Sequence, residues 1–268
     1  MKYFSDFLGR YVEIPDKPKR IVSLAPDITE TLFRLGVGDR VVGISLYCSR
    51  PKDRLNGIPR VGAYLNVLWD KLERLNPDLV FLTTGAQRNV AEGMLNRGFP
   101  VVVLSVPNSV FGIFENIRKV GLAVDEVKRA DELVFYLMGK LWELYSHKVF
   151  VRVYYEVDLG GSITAGGPSY ITQALRFLGL ENIYSHKRDS YFKPDDKETK
   201  SLGFDLILFE PKPERKYTEE KIKEGLKERF GNVPILILEP DSLAHYGPAL
   251  IDEVLPKLCK KLEKFSQK

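Results

Sequence analysis

The chain has 268 residues, 44% of them hydrophobic, enough for one large or two modest folded domains and too many for a disordered chain. Its formal net charge is +4, from 40 Lys+Arg against 36 Asp+Glu with the signs interspersed, so no concentrated basic stripe marks a nucleic-acid binder. The two cysteines, Cys48 and Cys259, are too few and too far apart for a disulfide framework or a local metal knuckle.

Tyr11 to Ile14 reads as a short strand after the Gly9-Arg10 turn, part of a small hairpin that Pro15 and Pro18 end. Ile21 to Leu24 is a buried strand. Pro26 starts a helix whose stripe is Ile28, Leu32, Phe33 and Leu35, and Gly36 ends it. Strand Val41–Ile44 follows, then a short helix over Trp69–Leu75 with Leu68, Leu72 and Leu75 on one face. Strand Leu79–Leu82, a helix through Val90–Leu95, strand Val101–Leu104 and a helix through Ile113, Phe114, Ile117 and Val120 continue the alternation. Strand–helix alternation with short connections predicts a mainly parallel sheet covered on both faces.

The rhythm then changes. Val127, Ala130, Val134, Leu137, Leu141, Leu144 and Tyr145 recur every three to four residues, predicting one helix over 125–146, roughly 30 Å long at 1.5 Å per residue. The alternation restarts with strand Val149–Val157, a glycine-punctuated loop around Ser162–Thr164, and helix Tyr170–Leu178. Ser185 to Ser201 is polar, lacks periodicity and reads as irregular surface. Strand Leu206–Phe209, a charged helix over Lys216–Phe230 with Ile222, Leu226 and Phe230 inward, core strand Ile235–Leu238 and a closing helix from Pro248 to Phe265 complete the chain. The expected fold class is α/β: two three-layer lobes with mainly parallel sheets, 1–122 and 148–268, bridged by a long rigid helix over 123–147.

Residues for catalysis are scarce. No phosphate-binding glycine motif of the dinucleotide or Walker type occurs, and no nucleophile elbow. The Gly160-Gly161 and Gly166-Gly167 pairs lack a following Lys-Ser/Thr and read as turns. His147, His186 and His245 have no metal-ligand spacing. His147 suits the dipole at the end of the long helix, and His186 reads as solvated. His245 follows the last strand, where ligands of open α/β sheets bind, and is a ligand-contact candidate. Cys48 has no basic helper nearby to make it a reactive thiol. Aromatic residues in connecting segments, Tyr47, Tyr64, Tyr191, Phe192 and Tyr246, suit a cleft for a large, partly apolar ligand; packing under their own loops is the alternative.

No apolar stretch with a small-residue cleavage site follows Met1, and no apolar run is long enough to span a membrane. A cytoplasmic protein and a mature exported one both remain open. Gln occurs three times while Lys, Glu and Tyr are abundant, a bias that leans towards thermophily.

The stretch Arg20-Ile-Val-Ser-Leu-Ala-Pro-Asp-Ile-Thr-Glu30, with Leu35-Gly-Val-Gly-Asp-Arg-Val-Val-Gly43, resembles the opening of the cobalamin and iron-siderophore substrate-binding proteins of ABC importers. Further matches are Pro59-Arg-Val-Gly62 with Asn66, Asn76-Pro-Asp-Leu-Val80, Thr164-Ala-Gly166, Gly179-Leu-Glu-Asn-Ile183, Asp205-Leu-Ile207 and Gly247-Pro248, so the likeness spans essentially the whole chain. It implies two α/β lobes on one helical spine, no enzymatic activity, and a ligand between the lobes. Tyr47-Cys-Ser-Arg-Pro51 and Arg60-Val-Gly-Ala-Tyr64 look nearest the vitamin B12 binders. By that resemblance the ligand is a corrinoid, held by Tyr47, Tyr64, Tyr191 or Phe192, Asp241, Ser242 and His245. Ser45, Thr84, Gln87 and Thr164 are candidates for its amide rim. A ferric siderophore or haem is the alternative ligand, and a cytoplasmic enzyme or regulator that kept the fold the alternative class. The partner implied is an ABC permease dimer with its ATPase, approached by a monomer outside the membrane. Docking carboxylates would be Asp70, where the family usually has Glu, or Glu73 in the first lobe, and one of Asp195, Asp196 and Glu198 in the second. Many relatives carry Arg after the last Gly-Pro; here it is Ala249.

Overall fold

A computed structural model describes residues 1–63, 65–84, 88–145, 151–212 and 217–266. The chain folds as two α/β lobes joined by a long helix, the first built from 1–106 with 113–137 and the second from 107–112 with 138–268.

The first lobe opens with an antiparallel hairpin, β1 (Lys2–Ser5) and β2 (Arg10–Glu13). Four strands then form a wholly parallel sheet in the order β4-β3-β5-β6: β3 (Ile21–Ser23), β4 (Val41–Ile44), β5 (Leu79–Thr83) and β6 (Val101–Leu104). These strands are almost wholly buried because helices cover both faces. The helices are α1 (Pro26–Arg34), α2 (Trp69–Leu75), α3 (Arg88–Asn96) and α4 (Val110–Ala123). Val22, Val80 and Val101 pack with Leu72 and Met94 in one cluster, each such side chain contributing about 1.5–3 kcal/mol. Leu72 is the buried residue of α2; Leu68, expected inward, is 53% exposed.

Asp125 adopts a left-handed conformation (φ 61°) and separates α4 from the long helix α5 (Val127–Tyr145). The first turn of α5 is tied to the first lobe. Arg40 donates to the Val124 carbonyl (2.9 Å) and to Glu126 (3.0 Å), and Arg129 donates to the Leu35 carbonyl (3.1 Å). Ala130, Val134, Leu137, Leu141 and Leu144 form the buried stripe, as their spacing requires. Val127 and Tyr145, counted into that stripe from sequence, are exposed.

The second lobe has a mixed six-stranded sheet in the order β10-β8-β7-β11-β12, with β9 on β7. Its strands are β7 (Val151–Asp158), β8 (Ser162–Ala165), β9 (Leu180–Asn182), β10 (Tyr191–Phe192), β11 (Leu206–Glu210) and β12 (Ile235–Ile237). β9, β11 and β12 run parallel to their neighbours; β8 and β10 are antiparallel. The helices are α6 (Tyr170–Phe177), α7 (Asp196–Leu202), α8 (Glu219–Phe230) and α9 (Leu255–Ser266), the last entered through a π-helical turn at Leu250–Val254.

Three sequence expectations are corrected here. Ser162–Thr164 is a strand, because the Gly160-Gly161 turn folds it back onto the end of β7. The segment 185–201 holds β10 and the start of α7. Its helix is short, capped by Asp195, and buries Thr199, so no apolar period announces it. Ile235–Ile237 lies at the sheet edge and is only half-buried, so it is not a core strand.

Candidate functional site

In open α/β sheets ligands gather at the carboxyl ends of the strands. Each lobe presents one organised loop there.

In the first lobe the loop after β4 is held by Arg60. Its Nη1 donates to the carbonyls of Ser45 (2.8 Å) and Cys48 (2.6 Å). The Leu46 N–H bonds the Gly62 carbonyl (2.8 Å). Gly62 has φ 127°, and a Cβ there would lie 2.2 Å from the Asn66 carbonyl oxygen, so only glycine fits. The loop turns Ser45 and Cys48 inward and leaves Leu46 and Tyr47 exposed, at 61% and 42%. Cys48 is sealed off: its Sγ lies 3.0 Å from Thr29 Oγ1, and burial pushes its thiol up to about 11. It is not a reactive nucleophile. Thr84, at the end of β5, accepts the Val106 N–H at 3.0 Å and so braces the neighbouring loop. Tyr64 and Gln87 lie outside the described residues.

In the second lobe the loop after β12 is held by Glu210, at the end of β11. Its carboxylate accepts the backbone N–H groups of Ser242 (2.8 Å), Leu243 (2.9 Å) and Ala244 (3.1 Å), and the Tyr155 hydroxyl (2.9 Å). Three consecutive amides on one carboxylate fix the course of this loop. Glu210 is 1% exposed, and burial raises its pKa to about 7 although every bond it accepts favours the charged form. Asp241 turns the chain in a left-handed conformation (φ 60°), and the Ser242 hydroxyl closes onto the Glu239 carbonyl. His245 is 2% exposed, with Nδ1 3.7 Å from the Asp241 carboxylate. Tyr170 donates to the Leu243 carbonyl (2.7 Å), and its ring lies 5.5 Å from Tyr246 and 6.5 Å from Tyr191. Tyr191 is 38% exposed.

Tyr191, Tyr246, Asp241, Ser242 and His245 are therefore neighbours at one end of the second-lobe sheet. Two other candidates lie elsewhere. Phe192 alternates to the opposite face of β10 and packs edge-on against Tyr184 at 5.0 Å. Thr164 is fully buried, and its hydroxyl donates to the Tyr155 carbonyl at 2.6 Å. Sequence reasoning passed over Arg60 as an anchor, and Glu210 and Tyr170 altogether. A carboxylate ending an otherwise apolar strand was the available signal for Glu210.

The docking candidates also separate. Asp70 is exposed at the start of α2 and has no ion pair among the described residues. Glu73 sits 3.8 Å from Arg97, which stacks 4.1 Å over Trp69. Asp195 caps α7 by accepting the Lys197 and Glu198 N–H groups. Asp196 is gripped by Arg229 (2.8 and 3.0 Å), which lowers its pKa, and Glu198 pairs with Lys187 at 2.6 Å. His186 is exposed, with Nδ1 3.1 Å from the Ile183 carbonyl, and His147 lies outside the described residues.

A model of the periplasmic binding protein family matches residues 21–229. An uncharacterized ABC transporter substrate-binding lipoprotein of Bacillus subtilis is 25% identical over 262 residues, covering 93% of this chain and 82% of its own length. A vitamin B12-binding protein of Vibrio parahaemolyticus is 24% identical over 193 residues, 70% of each chain. Among solved structures, the periplasmic vitamin B12-binding protein of Vibrio cholerae superposes with TM-score 0.75 at 21% identity, over 95% of this chain and 100% of that one. The periplasmic haem-binding protein of Roseiflexus gives 0.76 at 21%, over 90% and 96%. The molybdate-binding protein of Haemophilus influenzae gives 0.81 at 17%, over 98% and 91%. These structural likenesses show the fold.

Proposed function

The chain belongs to the periplasmic binding protein family, and from that premise we propose that it is the substrate-binding component of an ABC importer for a metal chelate, with a corrinoid as the ligand. The carrying observation is the second-lobe cluster: the exposed Tyr191 beside Tyr170 and Tyr246, next to the Asp241–His245 loop that Glu210 holds. A corrin is a broad flat ring with an apolar face and an amide-bearing rim. Tyrosine planes cover such a face, and Asp241 and Ser242 meet amides. In the first lobe Tyr47 plays the matching part, with Tyr64, Thr84 and Gln87 as further candidates. Ser45, Thr164 and Phe192 serve the lobes' interiors. Among the described residues no group of three or more His, Cys, Asp or Glu is placed to hold a bare metal ion, which suits a ligand that brings its metal inside its own chelate.

Delivery calls for a permease with its ATPase and a working place outside the cytoplasmic membrane. Asp70 is the docking carboxylate of the first lobe, being exposed and without an ion pair among the described residues. In the second lobe Asp196 is committed to Arg229 and Glu198 to Lys187, which leaves Asp195 as the one of the three without an ion pair among the described residues.

Titration of the purified chain with cobalamin tests the ligand. Fluorescence from Trp69 and Trp142 is expected to fall in proportion until one equivalent is bound. Tyr191→Ala weakens binding about tenfold, on the order of 1.4 kcal/mol. No change at micromolar cobalamin sinks the corrinoid reading. Parallel titrations with haemin and a ferric hydroxamate then decide between the other chelates.

A further inference from the structure

The second lobe contains a cavity of about 330 Å³ between the end of β7, the start of β8 and the inner side of α8. None of the residues assigned above to the transported ligand lines it. Its apolar floor is Phe209, Ile222 and Leu226. Two of the lining residues are glycines. Gly225 lies in the middle of α8, where glycine costs roughly 1 kcal/mol against alanine. A Cβ on Gly225 would meet nothing within 4 Å, so crowding does not explain its presence. A Cβ on Gly161, which also lines the cavity, would likewise meet nothing within 4 Å. What both glycines keep is open space, at the expense of helix stability at Gly225.

The charges on the walls are unequally used. Glu156 is 1% exposed and accepts from the Tyr154 and Ser162 hydroxyls and from two Arg229 nitrogens at 2.8 Å, which fills its capacity. Arg229 is opposed by both Glu156 and Asp196. Asp158 already accepts the Gly160 N–H. Lys221 stands at the same cavity, exposed, and its ammonium has no ion pair among the described residues. The volume lies within the range of roughly 300–1,000 Å³ that small-molecule sites occupy. We propose that this cavity is a second binding site, for a small carboxylate with an apolar or aromatic body: the body on Phe209, Ile222 and Leu226, the carboxylate on Lys221.

The test uses 4-phenylbutyrate as probe on the full chain, followed by calorimetry and saturation-transfer NMR. One equivalent is expected to bind saturably at low millimolar concentration, and to do so equally when cobalamin is present. Gly225→Leu fills the cavity and abolishes binding, while its melting temperature stays equal or rises, since leucine favours the helix. That rise separates loss of the site from loss of the fold. Lys221→Met reduces binding of the carboxylate to that of neutral 4-phenylbutanol and leaves the alcohol unaffected. Absence of saturable binding, binding that survives Gly225→Leu, or competition by cobalamin each overturns the proposal. Failure of cobalamin itself to bind bears only on the transported ligand.

Discussion

Two loops carry candidate contacts, exposed at Tyr47 in the first and half-buried or buried in the second, and each is held by a charged side chain, of opposite sign in the two. In the first lobe the Arg60 guanidinium donates to two carbonyls of the loop after β4. In the second the Glu210 carboxylate collects three consecutive N–H groups of the loop after β12. An irregular loop cannot satisfy its backbone groups by a ladder, so a side chain must do it, and the polarity the loop turns inward selects the sign. The two anchors also differ in kind. Arg60 is half-buried, whereas Glu210 is buried and titrates.

The largest effect that would break this comparison is at Glu210. Glu210→Gln keeps the shape but sets an amide donor among donors. At pH 8 it is expected to cost about 3 kcal/mol by denaturant unfolding, and a cost equal to that of a surface substitution would refute the anchoring role. The pH dependence comes next. Glu210 titrates near 7 when folded against an ordinary value of 4.5. Between those values the unfolded chain has released a proton that the folded protein keeps. Stability from this group therefore falls as pH rises from about 4.5 to about 7, by about 3 kcal/mol, and is level above that. The slope should vanish in Glu210→Gln and persist in Arg60→Met; parallel profiles for all three proteins would show that Glu210 does not titrate here.

Arg60→Met itself is expected to cost about 1–2 kcal/mol, less than the change at Glu210, because water reaches a half-buried site and replaces part of what is lost. Smaller still is the contrast between carboxylates. Asp196→Asn loosens the start of α7 by about 1 kcal/mol, and its effect fades as pH falls through the lowered pKa of Asp196, where the wild type also loses the charge. Asp70→Asn leaves stability within about 0.5 kcal/mol while weakening capture by the permease. If Asp70→Asn destabilises the protein as much as Asp196→Asn, the distinction between a docking and a structural carboxylate is lost.

Much of the fold was legible from apolar spacing alone. α2 runs over the predicted Trp69–Leu75, and α5 over all but the ends of the predicted 125–146. The misses are short or polar elements. β8, β10 and α7 exist because a partner strand or a capping carboxylate completes them, and neither lies within a window of local periodicity. The site was legible as a set of residue types near strand ends and not as an arrangement. Tyr191 and Phe192 are adjacent in sequence, yet the alternation of β10 sends one towards Tyr170 and the other into the α8-side core. Spacing could name both but could not choose between them.

The sequence by itself determined the alternation of strands and helices, the long helix α5 and its buried stripe, because those depend on local propensity and on which faces must leave water. Tertiary structure alone decided what the polar residues do. Glu210 becomes a loop anchor only when β11 ends beneath residues 242–244, some 30 positions later in the chain. Asp196 becomes a structural carboxylate only when α8 brings Arg229 to it, 33 positions away. The physical reason is that burial of apolar surface is nearly indifferent to partner, whereas a buried charge is tolerated only when particular donors or acceptors meet it.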